Sequence, residues 1–450
     1  MATPPSRRSA STLTLSSAVR AARRSHTPDA TPFHAKAEAR RASPHSTDRR
    51  SNVSERVVQL HFGRFVHPIY REQMHAVPDG FRYSSEHPAL SDETTPTKRI
   101  VEQQARFAQA RTLGERIALR ALSRAGYLHR VRAKKLPGAA LIHSCERLLA
   151  HSPLPYVVDF EHAELFVLYQ RIALSRPWTR AWLTHSLEDD QLRFLLPWSE
   201  AARDSLFRVL DRKTQQQLEE RTRVVYPAIR PAVERPRQRV DDETLRLVFV
   251  GTAFYEKGAV EAIRAVQRLA ATHRVHLDLL SYVPQEWSRR LEDEAAITVH
   301  APGGTDVVQR LYQQADALLF PSHMDTFGYV VLEAMAHGLP VIAPGHLALN
   351  ELVQDGISGL LFAPENPLYG DDTACRFEHT LPPPRSFLEA LSAPSDSYVD
   401  RIADTVATLA EDRQLRDRLA DGALREVLTG RFSIQRRQEA LGRIYAAAAA

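Results

Sequence analysis

The 450 residues are 43% hydrophobic and 25% charged, an ordinary globular composition at a length that allows two domains. No stretch approaches the roughly 18 consecutive apolar residues of a membrane-spanning helix, so the sequence reads as soluble or peripheral. A net charge of +5 is too mild at this size to argue for nucleic acid without a localised patch. The only cysteines, Cys145 and Cys375, exclude a disulfide framework, suggest no metal site and fit a reducing cytoplasm.

In chain order, residues 1–52 are rich in Arg and Ser with no apolar periodicity, the composition of a disordered basic extension. A transit-like segment shares that bias, and a contact arm is a third reading. Folding is expected from residue 53. Val57, Val58, Leu60 and Phe62 make a strand-like run ending near Gly63 and Pro68. Over 98–135, apolar residues recur at helix-compatible spacing. Arg99, Arg106, Arg111, Arg116, Arg120 and further basic residues there face only Glu102 and Glu115, which describes a solvated helix face or a helix lying on an anionic membrane.

A strand at 139–142, a helix at 146–150 and a strand at 156–158 predict a parallel sheet. Ser199 is placed to N-cap a helix starting at Glu200. A polar link containing Arg230-Pro231 and the residues 235–239 separates a first α/β unit, 53–232, from a second, 240–432. The second unit alternates strand 245–250, helix 259–271, strand 275–280, helix 307–314, strand 317–320, helix 328–337 and strand 341–343, the pattern of a doubly wound sheet covered on both faces. Residues 364–394 read as an irregular surface excursion, and helical stretches at 399–428 and 434–450 follow, the terminal alanines reading as filler.

Three segments of the second unit stand together: FVGTAFYEKG (249–258), ADALLFPS (315–322) and DTFGYVVLEAMAHGLPV (325–341), followed by ELV (351–353), DGISGL (355–360) and Phe432-Ser433. In order and spacing they resemble the donor-binding domain of glycosyltransferase family 4, whose fold is called GT-B. The resemblance covers 245–444 well and the first half loosely. It implies an α/β protein of two Rossmann-like domains facing across a cleft. Residues 53–232 are then the acceptor side, 240–432 the nucleotide-sugar side and 433–450 a helix returning to the first domain. The implied activity is transfer of a sugar from a nucleotide-sugar to a glycan or lipid-linked acceptor, with retention of configuration and neither metal nor cofactor. A sugar-nucleotide epimerase or a silent nucleotide-sugar-binding protein on the same fold are the alternatives.

The resemblance also assigns residues. The family's Glu-x7-Glu pair falls on Asp325 and Glu333, the first acid at the transferred sugar and the second at the ribose, with Asp325 one methylene shorter than the usual Glu. Thr252 stands where many members carry Arg. His162, at the end of VVDFEH (157–162), matches a histidine delivered to the cleft, with Asp159 and Glu161 beside it.

The residue chemistry agrees. A diphosphate held without a metal needs positive charge from helix N-termini and cationic side chains. Gly251 and Gly258 bracket a loop through which backbone can approach a phosphate, and Lys257 sits at the mouth of the next helix, as a phosphate ligand or a plain surface lysine. Asp325 and Glu333 are 8 residues apart, about 12 Å along a helix, which suits sugar and ribose at opposite ends; the alternatives are an N-cap and a solvated face. Phe327 and Gly328 offer first-turn N–H groups to an anion, unless Gly328 serves packing. His162 can hydrogen-bond sugar or acceptor, or be structural. The expected catalytic set is His162, Lys257 and Asp325, and the donor-binding set Gly251, Lys257, Phe327, Gly328 and Glu333.

Overall fold

The computed structural model describes residues 55–62, 67–86, 126, 128–167, 171–237, 244–365 and 385–450. The basic extension 1–52 and most of the basic helix expected over 98–135 lie outside the described residues.

Two parallel sheets organise the chain. The strands are β1 (Arg56–His61), β2 (Phe81–Ser84), β3 (Arg130–Val131), β4 (Ala139–Cys145), β5 (Leu148–Leu149), β6 (Tyr156–Phe160), β7 (Leu192–Pro197), β8 (Leu245–Val250), β9 (Val275–Leu280), β10 (Ile297–His300), β11 (Ala317–Leu319), β12 (Val341–Pro344) and β13 (Gly359–Phe362). The first large sheet has the order β2-β1-β4-β6-β7 and the second β10-β9-β8-β11-β12-β13, all pairs parallel. Both orders belong to doubly wound sheets, which reverse direction at one switch point and bind ligands outside the carboxyl ends of the strands beside it. In the first sheet that point lies between β1 and β4; in the second it lies between β8 and β11.

Central strands are apolar on both faces because helices cover both. Val57, Val58, Leu60, Ile142, Val157 and Val158 in the first sheet, and Leu247, Val248, Phe249, Leu318 and Leu319 in the second, are all buried. One core cluster runs through both halves: Leu60, Tyr70, Trp198 and Val225 pack with Phe327, Leu349, Leu352 and Phe432. The last helix, Ile434–Ala448, lies on the first half. There Arg437 donates to the carbonyls of Val225 at 3.1 Å and Tyr226 at 2.8 Å and to Gln73 Oε1 at 2.7 Å.

Three expectations fail locally. No helix forms at 146–150: Glu146 and His151 take positive φ (62° and 63°), and Leu148–Leu149 pairs with Arg130–Val131 as a small parallel ladder. The Glu146 amide donates to the carbonyl oxygen and to Oδ1 of Asp159, both at 3.1 Å, which holds the chain away from helical geometry. The segment 364–394 is not irregular throughout, since a helix occupies Arg385–Ser392. The terminal alanines are not all filler, because Ala448 is buried in the core cluster.

Candidate functional site

Both loops at the second sheet's switch point are built by close backbone approach. Gly251 follows β8, and a Cβ there would lie 2.9 Å from Cβ of Lys257 and 3.0 Å from its Cγ, so the missing side chain makes room for the lysine stem. Gly258, at φ +79°, begins the helix Ala259–Leu269, and a Cβ on it would meet the Pro321 carbonyl oxygen at 2.0 Å. Only glycine combines that dihedral with that approach. Gly328, at φ +88°, similarly begins the helix Tyr329–Ala336, with Leu349 Cδ2 3.0 Å from a built Cβ. Both helices therefore start with their N–H groups toward the switch point, an arrangement favourable to anions.

Side chains stitch the loops together. Lys257 Nζ donates to the Met324 carbonyl at 2.8 Å and to Asp325 Oδ2 at 2.7 Å. The His323 amide donates to the Glu256 carbonyl at 3.0 Å, and the His323 ring pairs with buried Glu261. His346 Nε2 donates to the Ser322 carbonyl at 2.8 Å; burial pushes its pKa down to about 4, so it acts as a neutral donor. Neither His323 nor His346 carried a motif that would mark it in the sequence.

Glu333 lies about one turn into the helix Tyr329–Ala336, half-buried, and its Oε2 accepts from the Tyr312 hydroxyl at 3.3 Å. Burial pushes its carboxyl up to about 7, with the Tyr312 hydrogen bond opposing the shift. Phe327 turns its ring into the core against Trp198, centroids 5.8 Å apart, so only its backbone faces the loop. The structure thus brings Gly251, Lys257, Asp325, Phe327 and Gly328 together; Asp325 lies in the loop ahead of the helix that Gly328 caps, not at its mouth, so the expected two-turn helical span between Asp325 and Glu333 does not form.

His162 sits apart, on the first half at the carboxyl end of β6. Its Nδ1 accepts the Glu164 amide at 3.3 Å, capping the short turn Ala163–Val167. The hydrogen bonds that hold Lys257, Asp325 and Glu333 do not include it.

Asp159 belongs to a buried network. Its Oδ1 accepts from Tyr70 at 2.7 Å, its Oδ2 lies 3.4 Å from His143 Nε2, and His143 Nδ1 meets the Tyr445 hydroxyl at 2.6 Å. Burial pushes the Asp159 carboxyl up, but His143, Arg437 and Tyr70 outweigh that and hold it below the usual carboxylate range. His143, Cys145 and Asp159 are the one group of potential metal ligands among the described residues, and these hydrogen bonds already engage the histidine and the aspartate.

Sequence reading also missed the contact that joins the halves. The Glu351 carboxylate accepts the amides of Glu200 at 2.8 Å and Ala201 at 2.7 Å and the Tyr226 hydroxyl at 3.0 Å. It therefore caps the helix Glu200–Phe207 jointly with Ser199, whose Oγ accepts the Ala202 amide at 3.0 Å.

Residues 244–369 match the family described as Glycosyl transferases group 1. An uncharacterized glycosyltransferase of Methanocaldococcus jannaschii is 30% identical over 134 residues, which is 28% of this chain and 34% of the relative. A D-inositol 3-phosphate glycosyltransferase of Acidothermus cellulolyticus is 30% identical over 171 residues, 33% of this chain and 38% of the relative. The chain thus spans little more than a third of these relatives' lengths. Among solved structures, Anabaena HepE in complex with UDP and glucose superposes with a TM-score of 0.51 at 14% identity, over 87% of this chain and 99% of that one. A glycosyltransferase from Rickettsia africae gives 0.52 at 11% identity, over 88% and 98%. The fold is the two-domain GT-B architecture, and the match to the group 1 family lies in the second half.

No helix among the described residues is long and apolar enough to cross a membrane.

Proposed function

We propose that the chain is a glycosyltransferase that moves a sugar from a nucleotide-sugar to a hydroxyl of a glycan or lipid acceptor, with retention of configuration and without a metal. The observation that carries this reading is the stitched switch point, where Lys257 and Asp325 meet beside two helix starts and Glu333 stands about one turn inward. The group 1 match over these residues and the UDP held by the Anabaena neighbour support it.

In this reading the diphosphate lies over the Tyr329–Ala336 helix start, Glu333 accepts from the ribose hydroxyls, and Asp325 orients Lys257 and the transferred sugar. The acceptor attacks from the leaving-group face, and the donor's phosphate oxygen takes its proton. Positive charge from Lys257 and the helix ends stabilises the departing diphosphate.

A thermal-shift screen of nucleotide-sugars tests the donor. A ligand that binds the native state stabilises it by about 2.7 kcal/mol at a hundred times its Kd, so the true donor and its nucleoside diphosphate should both raise Tm. Product analysis with the binding donor should then detect transfer or slow hydrolysis. No shift with any nucleotide-sugar, or release of an altered free sugar nucleotide, contradicts the proposal.

A further inference from the structure

The first sheet has its own switch point, and one residue beside it reaches the second half. His67 lies on the connection from β1 to the helix Ile69–His75. Its ring meets Trp198 edge-on at 5.2 Å, on the first half, and Tyr329 at 5.5 Å, the opening residue of the helix that starts at the second switch point. The two crevices of the doubly wound sheets therefore converge at this imidazole.

Its hydrogen bonding is defined. Nδ1 accepts the Ile69 amide at 3.3 Å, so in the neutral ring the proton sits on Nε2. Burial pushes its pKa down to about 4, with the charges of Asp159 and Asp325 opposing, so the ring is neutral at physiological pH. Nε2–H has no hydrogen-bond partner among the described residues, and the ring is only half-buried. A half-buried donor, locked in tautomer by its own backbone and pinned between two aromatic rings, is preorganised for a ligand.

We propose that His67 is a sugar-binding residue: its Nε2–H donates to a hydroxyl of the transferred sugar, opposite Asp325 on the other wall of the cleft. The inference rests on the nucleotide-sugar reading above and adds a first-half contact to it. One observation favours the sugar over the nucleotide: Asp325, the carboxylate assigned to the transferred sugar, is close enough for its charge to act on the ring. A neutral N–H donor suits an uncharged hydroxyl, whereas a diphosphate draws cations.

Two substitutions separate ligand contact from local structure. His67→Asn puts an amide oxygen near the place of Nδ1 and keeps the bond from Ile69, but loses the reach of Nε2. His67→Gln restores an N–H at about that reach. Titration calorimetry with UDP-glucose and with UDP as probes gives the readout. His67→Asn should weaken UDP-glucose by about three- to ten-fold, the loss of one neutral hydrogen bond, and leave UDP unchanged. His67→Gln should recover most of the affinity. Equal weakening of both probes, unchanged UDP-glucose binding in His67→Asn, or equal loss in both variants with a lowered Tm would overturn the assignment. If the wild-type protein binds neither probe, nor any other nucleotide-sugar with its nucleoside diphosphate, the nucleotide-sugar reading itself has failed.

Discussion

The inner edges of the two halves are made in different ways. At the second switch point, glycines let backbone pass close to backbone: Gly258 lies under the Pro321 carbonyl, and Gly251 yields its space to Lys257. The first half is instead fastened by large polar side chains from distant parts of the chain. Tyr70, His143, Asp159, Arg437 and Tyr445 form a buried network that roots the last helix in the first sheet. A pocket that grips a diphosphate needs bare backbone amides near the ligand, whereas a support that carries an interdomain helix needs satisfied polar groups and bulk. The second switch point is thus set by steric permission and the first half by side-chain complementarity, so the two should respond to different mutations.

The largest effects should come from striking each device where it has no alternative. Gly258→Val adds left-handed strain of about 1–3 kcal/mol and overpacking of about 1–3 kcal/mol against the backbone of Pro321. Urea denaturation should show that sum. Gly80→Ala, with similar φ (+78°) and nothing within 4 Å of a built Cβ, should cost only the strain. In the first half, Asp159→Asn removes one partner from a buried charged network and should cost about 3–5 kcal/mol. An equal cost for the two glycine variants, or a neutral Asp159→Asn, would break the comparison.

The junction comes next. Glu351→Ala strips the carboxylate from two helix amides and a tyrosine hydroxyl, losing hydrogen bonds to a charged group worth about 1.5–3 kcal/mol. Ser199→Ala, which removes one neutral cap from the same helix, should cost about 1 kcal/mol. If Ser199→Ala proves the more damaging in thermal melts, Glu351 does not carry the junction.

Glu333 and Asp159 should pull the pH dependence in opposite directions. Glu333 has a folded pKa near 7, above the ordinary value of about 4.3. The native state therefore holds a proton that the unfolded state has lost between those values, and its contribution to stability falls as pH rises through that window. Glu333→Gln should flatten that slope. Asp159 is held below the usual range, so its contribution is fully present above about pH 4 and is lost as pH falls below it. Stability curves of the two variants against pH check both signs.

Much of the second half was legible because its information is local. Gly251, Lys257, Gly258, Asp325, Gly328 and Glu333 lie in short runs whose strand-loop-helix grammar is written in adjacent residues, and its central strands are continuous apolar segments. The four large-sheet strands that composition did not mark, β2, β7, β10 and β13, are the four sheet edges. Phe81–Ser84 and Ile297–His300 are largely uncovered and carry little apolar signal, and Leu192–Pro197, though apolar, ends in a proline. His67, Glu351 and Tyr445 were illegible for another reason. Each acts on partners 125 or more residues away, and nothing in its neighbours announces such a contact. The false helix at 146–150 has the same origin, since Asp159 across the sheet imposes the turn at Glu146.

The most direct test of the proposed donor site is a pair of calorimetric titrations, nucleoside diphosphate and intact nucleotide-sugar, on Glu333→Ala and Asp325→Ala. Glu333→Ala should weaken both ligands about ten- to a hundred-fold, because both contain the ribose. Asp325→Ala, which frees Lys257 but leaves the ribose contact in place, should change nucleoside diphosphate binding far less than Glu333→Ala does while turnover of the intact donor falls. Equal loss of nucleoside diphosphate binding in both variants would contradict the placement of the sugar at Asp325 and the ribose at Glu333, and no change in either would remove the donor from this site.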